Sequence, residues 1–137
     1  MCKDRPSRHE VMMDIAYDVS QRGTCNRAKV GAVIARDARV VSTGYNGAPS
    51  GVPHCPPDEP AGCTHAIHAE ANAIVYAART GVSTEGCILY STTSPCVECA
   101  KIIVNAGIKE VWFDVHYRLS DGINYLRGAG VKCEWLV

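Results

Sequence analysis

The chain carries no excess charge of either sign: 14 Lys and Arg balance 14 Asp and Glu over 137 residues, and the basic residues form no run. A protein that lives on nucleic acid shows a basic patch or stripe, so a long polynucleotide is not the expected partner. No stretch is apolar enough to span a bilayer, and the opening MCKDRPSRHE lacks the apolar core of a signal peptide. The expectation is a cytoplasmic protein with no membrane and no nucleic-acid partner. Repeats, linkers and low-complexity tracts are also missing. The length fits one domain, residues 1–137, large enough to bury a core without disulfide staples. In a reducing cytoplasm, eight cysteines are more readily metal ligands or buried thiols than disulfides.

The hydrophobic pattern is that of an α/β protein. Ser7-Arg8-His9-Glu10 reads as a capping box, and Val11, Met12, Ile15, Ala16 and Val19 follow at helical spacing, so a helix is expected over about residues 8–22. Its methionines read as core filling. Lys29–Ala35 and Arg39–Tyr45 are β-rich runs around Asp37-Ala38, a hairpin turn; the first run is nearly continuous in apolar residues, as for a strand covered on both faces. From Asn46 to about His65, Gly, Pro, Cys and His replace aliphatics, giving a long loop of the kind that is functional or tied down. A helix from His68 to about Thr80-Gly81 and a strand over Cys87–Thr93 come next. A helix after Cys96 runs to about Asn105-Ala106-Gly107, then a strand over Lys109–Asp114, a short helix from Leu119 or Ser120 to about Gly128 and a strand over Val131–Leu136. The order α-β-β-α-β-α-β-α-β implies a largely parallel sheet with helices on both faces and a binding site at the carboxyl ends of strands.

Two short stretches carry the chemistry. His68-Ala69-Glu70 opens IHAEANAI, and Pro95-Cys96-Val97-Glu98-Cys99 opens PCVECAKII; each begins a helix, and Pro95 suits a first turn. Cys96 and Cys99, at i and i+3, share a helical face, and the positive end of a helix favours thiolate over thiol. His68 and Glu70 at i and i+2 approach one point only if the helix end itself is aimed at it. Alone, a Cys-x-x-Cys pair is equally a redox pair, half of a structural zinc site or two buried thiols, and a helix-start His-x-Glu is ordinary polar surface. Together they supply one imidazole, two thiols and a spare carboxylate. That set suits a catalytic zinc, with three protein ligands and an open fourth position. Zinc so held lowers the pKa of water to about 7, and a carboxylate beside it but off the metal can carry the proton to a leaving group. In this order the motifs match the zinc deaminase signature H-x-E…P-C-x-x-C.

VGAVI, STGYNGAPSG, IHAEANAI, TSPCVECAKII and NAGIKEV together resemble the deoxycytidylate (dCMP) deaminases of the cytidine deaminase superfamily, from about Arg27 to Val111. The resemblance implies a three-layer α-β-α sandwich with a five-stranded mixed sheet. It implies zinc on His68, Cys96 and Cys99, Glu70 as proton shuttle, Asn46 on the sugar, and the Ala69 amide and Ser94 carbonyl on the pyrimidine edge. The reaction would take dCMP to dUMP and ammonia and so supply dTTP synthesis. It further implies a homohexamer activated by dCTP and inhibited by dTTP with Mg2+, with effector binding around Gly44-Tyr45-Asn46-Gly47. A 5′-phosphate needs cationic or amide donors, for which Arg27, Lys29 and Arg118 beside Tyr117 are candidates. Free-cytidine deaminases would show Pro-Cys-Gly-x-Cys, where this chain has Val97 and Glu98. The tRNA adenosine deaminases would show Asp-Pro-Thr-Ala before His-Ala-Glu, where it has Cys63-Thr64-His65-Ala66-Ile67. A zinc-stabilised interaction domain without catalysis is the rival of a different class, and it would bind zinc yet deaminate nothing.

Cysteines remain after that assignment. Cys2, Cys87 and Cys133 read as thiols without partners, whereas Cys25, Cys55, Cys63 and His65 lie in segments that can meet at one sheet edge, with His54 as the alternative to His65. The Asn46–His65 loop has too few aliphatics to order itself by burial, so a closed tetrahedral zinc site would supply what hydrophobic contact cannot. Related phage and bacterial enzymes resemble this chain in ligands matching Cys25 and Cys55. Metal analysis is expected to find about two zincs per chain, falling to about one in Cys25→Ser. One zinc per chain in fully active protein would remove the second site.

Overall fold

A computed structural model describes residues 4–24, 28–54 and 66–136. The elements are α1 (Arg8–Ser20), β1 (Gly31–Arg36), β2 (Arg39–Tyr45), α2 (Ala69–Arg79), β3 (Ile88–Thr93), α3 (Val97–Asn105), β4 (Glu110–Val115), α4 (Asp121–Gly128) and β5 (Lys132–Trp135). The expected order is therefore the observed one. At the start of α1 the capping box forms, Ser7 accepting from the Glu10 amide and Glu10 from the Ser7 amide.

The five strands form one sheet in the order β2-β1-β3-β4-β5. Both β2 and β3 run antiparallel to β1, whereas the β3/β4 and β4/β5 ladders are parallel. The sheet is thus mixed, which corrects the largely parallel sheet expected from element alternation alone. Parallel pairs need a crossover helix, which α3 and α4 provide; the β1–β2 connection is a hairpin and must be antiparallel.

One face is covered by three helices, where Ala73 of α2, Ile103 of α3 and Leu126 of α4 pack with Ile34, Leu89, Val111 and Phe113. The other face carries α1, whose Met12, Met13 and Ala16 pack on Val33, Ala35 and Tyr90. The methionines of α1 are core, as the sequence suggests. This is a three-layer α-β-α sandwich, and its β1 run is buried on both sides because both layers meet it.

The β1–β2 hairpin has a two-residue turn, with Arg36 facing Arg39 across Asp37 and Ala38. Both turn residues hold positive φ, 52° and 60°, as the right-handed twist of the strands demands of such a turn. Aspartate tolerates that region; for alanine the left-handed conformation costs roughly 1–2 kcal/mol. Ala38→Gly is therefore expected to raise unfolding stability by about 1 kcal/mol, measured by urea denaturation.

Candidate metal centre and active site

The site is assembled at the carboxyl ends of β3 and β4, the position that α/β sheets reserve for ligands. Two helix N-termini face each other there. His68 is the N-cap of α2 and Cys96 the N-cap of α3, each with extended backbone and neither using its side chain to cap. Pro95 precedes the α3 cap rather than lying in its first turn.

Close packing fixes where α2 begins. A Cβ at Gly44 would stand 2.4 Å from the Ala69 carbonyl oxygen and 2.5 Å from the Ala73 amide nitrogen, so β2 and the first turn of α2 touch backbone to backbone. Ser42 Oγ donates to the Ala73 carbonyl (2.7 Å), Asn72 Nδ2 donates to the Tyr45 carbonyl (2.8 Å), and Gly47 pairs with Ile67 in a single bridge. On the α3 side, the Ser94 amide donates to the Val115 carbonyl (2.8 Å) and the Tyr117 amide to Ser94 Oγ (2.7 Å). These bonds tie the turn before Cys96 to the loop that leaves β4.

The donor atoms of His68, Cys96 and Cys99 lie within 4.8 Å of one another. His68 Nδ1 is 3.4 Å from Cys96 Sγ and 3.3 Å from Cys99 Sγ. With zinc–nitrogen bonds near 2.05 Å and zinc–sulfur bonds near 2.3 Å, a tetrahedral N–S edge comes to about 3.5 Å. The three side chains therefore fit zinc by spacing as well as by donor type. The thiols are unequal: Cys96, accepting from the Cys99 thiol and close to His68, is held down to about 3, whereas that hydrogen bond and burial push Cys99 up. His68 is raised, chiefly by its contact with Cys96.

Glu70 is two positions beyond His68, in the first turn of α2, and is 4% exposed. Burial pushes its carboxyl up to about 7, against the opposing pull of its own backbone N–H, of His68 and of the Cys99 thiol. It lines a cavity of about 390 Å³ together with His68, Cys96, Ala69, Ser94 and Asn46. The helix end is thus aimed at the site, which brings His68 and Glu70 to it despite their i, i+2 spacing.

Asn46 is more occupied than expected. Its side chain donates to the Ala28 carbonyl (2.6 Å) and accepts from the Val30 amide (2.9 Å), bracing the chain that enters β1. Gly44 and Gly47 likewise have work inside the fold, against α2 and beside Thr24. Of the basic candidates, Arg118 lines the cavity, 5.7 Å from the centre of the Tyr117 ring, and Tyr117 lines it too. Lys29 is exposed, points Nζ at the Gln21 carbonyl (3.5 Å), and does not line the cavity. Arg27, Cys25, Cys55, Cys63 and His65 lie outside the described residues, and His54 is exposed. Sequence reasoning missed His116, which lines the cavity with its ring edge-on to Phe113 (5.0 Å) and Trp135 (4.8 Å). Its only signal was its place just past the carboxyl end of a strand.

Residues 6–115 match the family described as the cytidine and deoxycytidylate deaminase zinc-binding region. The chain is similar to ComE operon protein 2 of Bacillus subtilis (strain 168), 40% identical over 96% of this chain and 72% of that protein. It is also similar to the deoxycytidylate deaminase of Enterobacteria phage T4, 35% identical over 88% of this chain and 86% of that one. Among solved structures, the dCMP deaminase of cyanophage S-TIM5 in complex with dCMP and dUMP superposes with a TM-score of 0.90 at 36% identity, covering 96% of this chain and 98% of that one. With a family match over most of its length and relatives of this identity, the chain belongs to the cytidine and deoxycytidylate deaminase family of zinc-binding proteins.

Proposed function

We propose that the protein is a dCMP deaminase, hydrolysing dCMP to dUMP and ammonia. The observation that carries this reading is a buried carboxylate, Glu70, set beside a His68–Cys96–Cys99 zinc site in a cavity that also exposes an arginine. The S-TIM5 enzyme, whose fold this chain shares, is a dCMP deaminase solved with dCMP and dUMP. His68, Cys96 and Cys99 would hold zinc, which would supply Lewis-acid activation of the attacking water. Glu70 takes a proton from that water and delivers one to N3 of cytosine as C4 is attacked. The same carboxylate then takes the second proton of that water, now a hydroxyl on C4, and carries it to the amino group; the C4–N bond breaks, C4=O forms, and the products are the uracil base and ammonia. Its raised pKa suits the task, because a group that both accepts and returns a proton works best near the operating pH. The Ala69 amide and the Ser94 carbonyl hold the pyrimidine edge. Asn46 meets the sugar with the hydrogen-bonding capacity left over from Ala28 and Val30.

Arg118 and Tyr117 are proposed for the 5′-phosphate, since Arg118 lines the cavity and Lys29 does not. Guanidinium matches a dianionic phosphate in charge and geometry. The physiological reading is dUMP supply for dTTP synthesis in the cytoplasm by a homohexamer, with dCTP activating and dTTP inhibiting in the presence of Mg2+ around Gly44–Gly47. It is supported by likeness to the deoxycytidylate deaminases. A second, structural zinc on Cys25, Cys55, Cys63 and His65 or His54 is supported by the cysteine pattern.

An ultraviolet assay comparing dCMP, dCTP, deoxycytidine and CMP, each with and without dCTP plus Mg2+, tests the substrate and the regulation together. Loss of cytosine absorbance with none of them would leave a zinc-stabilised interaction domain. Glu70→Gln is expected to lower turnover by about 10²- to 10⁴-fold with the catalytic zinc retained, because the amide cannot accept a proton while the three ligands remain. Loss of that zinc would place Glu70 in the metal shell instead. Arg118→Ala is expected to raise KM for dCMP much more than for deoxycytidine; equal effects on both would reject the phosphate role.

A further inference from the structure

Gly122 sits in the first turn of α4, buried, where no positive φ calls for glycine and where glycine is among the poorest helix formers. Space explains it. A Cβ there would stand 2.0 Å from the Pro95 carbonyl oxygen and 2.9 Å from the carbonyl carbons of Pro95 and Cys96. Those are backbone atoms, one of them of the fully buried Pro95, so no flexible side chain can swing aside. The α4 backbone therefore rests on the residue pair that ends in a metal ligand. From the same side, Tyr117 N–H holds Ser94 Oγ, and Ile123 and Leu126 anchor α4 in the core. Gly128, at the far end of the helix, meets nothing within 4 Å. One glycine of α4 thus answers to a contact and the other does not.

We propose that Gly122 is a positioning residue of the metal centre: the bare-backbone contact of α4 with Pro95–Cys96 holds the Cys96 sulfur at the spacing from Cys99 and His68 that zinc requires. The proposal rests on reading those three residues as the zinc ligands. Outer contacts that fix a ligand typically change metal affinity by about 10- to 100-fold when lost. A methyl at Gly122 has to push α4 or the Cys96 turn away, and the turn carries only a short connection before the ligand.

The test measures zinc affinity of the purified zinc-loaded protein by competition with a metallochromic chelator, with melting temperature recorded in parallel. Gly122→Ala is expected to bind zinc at least about tenfold more weakly. Gly128→Ala, the same exchange in the same helix, is expected to leave both zinc affinity and melting temperature no worse. Met13→Ala, a core truncation on the opposite face of the sheet, shows how much zinc is lost through general destabilisation. Zinc affinity of Gly122→Ala equal to wild type, or lowered no more than in Met13→Ala at a comparable melting temperature, would overturn the proposal. If Gly122→Ala does not fold, Ile123→Ala, which loosens the seat of α4, takes its place against Met13→Ala with the same two outcomes. Cys96→Ser separately tests the ligand reading, which falls if that variant binds zinc as wild type does.

Discussion

The convergence of two helix N-termini on one point is the constraint from which the rest of the site follows. Each end brings about half a positive charge, felt within its first turn, and Cys96, Cys99, His68 and Glu70 all stand there. Negative charge is favoured in that field, and at Cys96 the hydrogen bond from the Cys99 thiol and the nearby His68 hold the group as a thiolate. Glu70 does not, and magnitudes decide why. Its rise from 4.5 to about 7 corresponds to about 3 kcal/mol, whereas a helix end is worth between about 0.3 and 2 kcal/mol. Burial outweighs the dipole. Two groups in the same field are thereby driven apart, one toward a permanent anion that can ligate metal, the other toward a group that exchanges its proton near neutral pH.

That convergence depends in turn on backbone contact. Where α2 crosses β2 at Gly44 and α4 meets Pro95 at Gly122, no side chain intervenes, so neither helix end can drift by a rotamer change in the interface. Hydrogen bonds from Ser42, Asn72 and Ser94 add direction to what close packing sets in distance. The result is that the His68 half and the Cys96 half are held by different strands, yet meet within the length of a metal–ligand edge. Metal binding and sheet packing are coupled by construction.

Much of this was legible in the sequence because it is local. Capping at Ser7 and Glu10, the turn at Asp37-Ala38 and the starts of α2 and α3 are each written in adjacent residues, and the metal ligands announce themselves by type and spacing. What was not legible is what long-range contact decides. The antiparallel pairing of β1 with β3 depends on how the hairpin docks, which no local pattern records. β1 begins at Gly31 rather than Lys29 because Asn46, from the other end of the hairpin, claims the Ala28 carbonyl and the Val30 amide. That same engagement makes Asn46 a strut of the fold. His116 was hidden for a related reason: its ring is set by Phe113 and Trp135, one on β4, which His116 follows, and one on β5.

On the proposed reading, attraction for a small anion is also a local property. With zero formal net charge, the chain has no overall field to draw in a polyanion, and at physiological salt an exposed charge acts over about 8 Å. Arg118 is the one Lys or Arg lining the cavity among the described residues, so attraction is confined to the last few ångströms of approach. A single phosphate is matched by one such contact. A polynucleotide binder that makes 6–10 phosphate contacts loses about 10³- to 10⁵-fold in affinity between 50 and 200 mM salt; a mononucleotide held through one arginine loses far less. The β4–α4 loop that carries Arg118 lies beside the turn before Cys96 in space, through the Tyr117–Ser94 hydrogen bond, so the proposed phosphate contact and the metal centre are neighbours in the fold although α3 and β4 separate them in the chain.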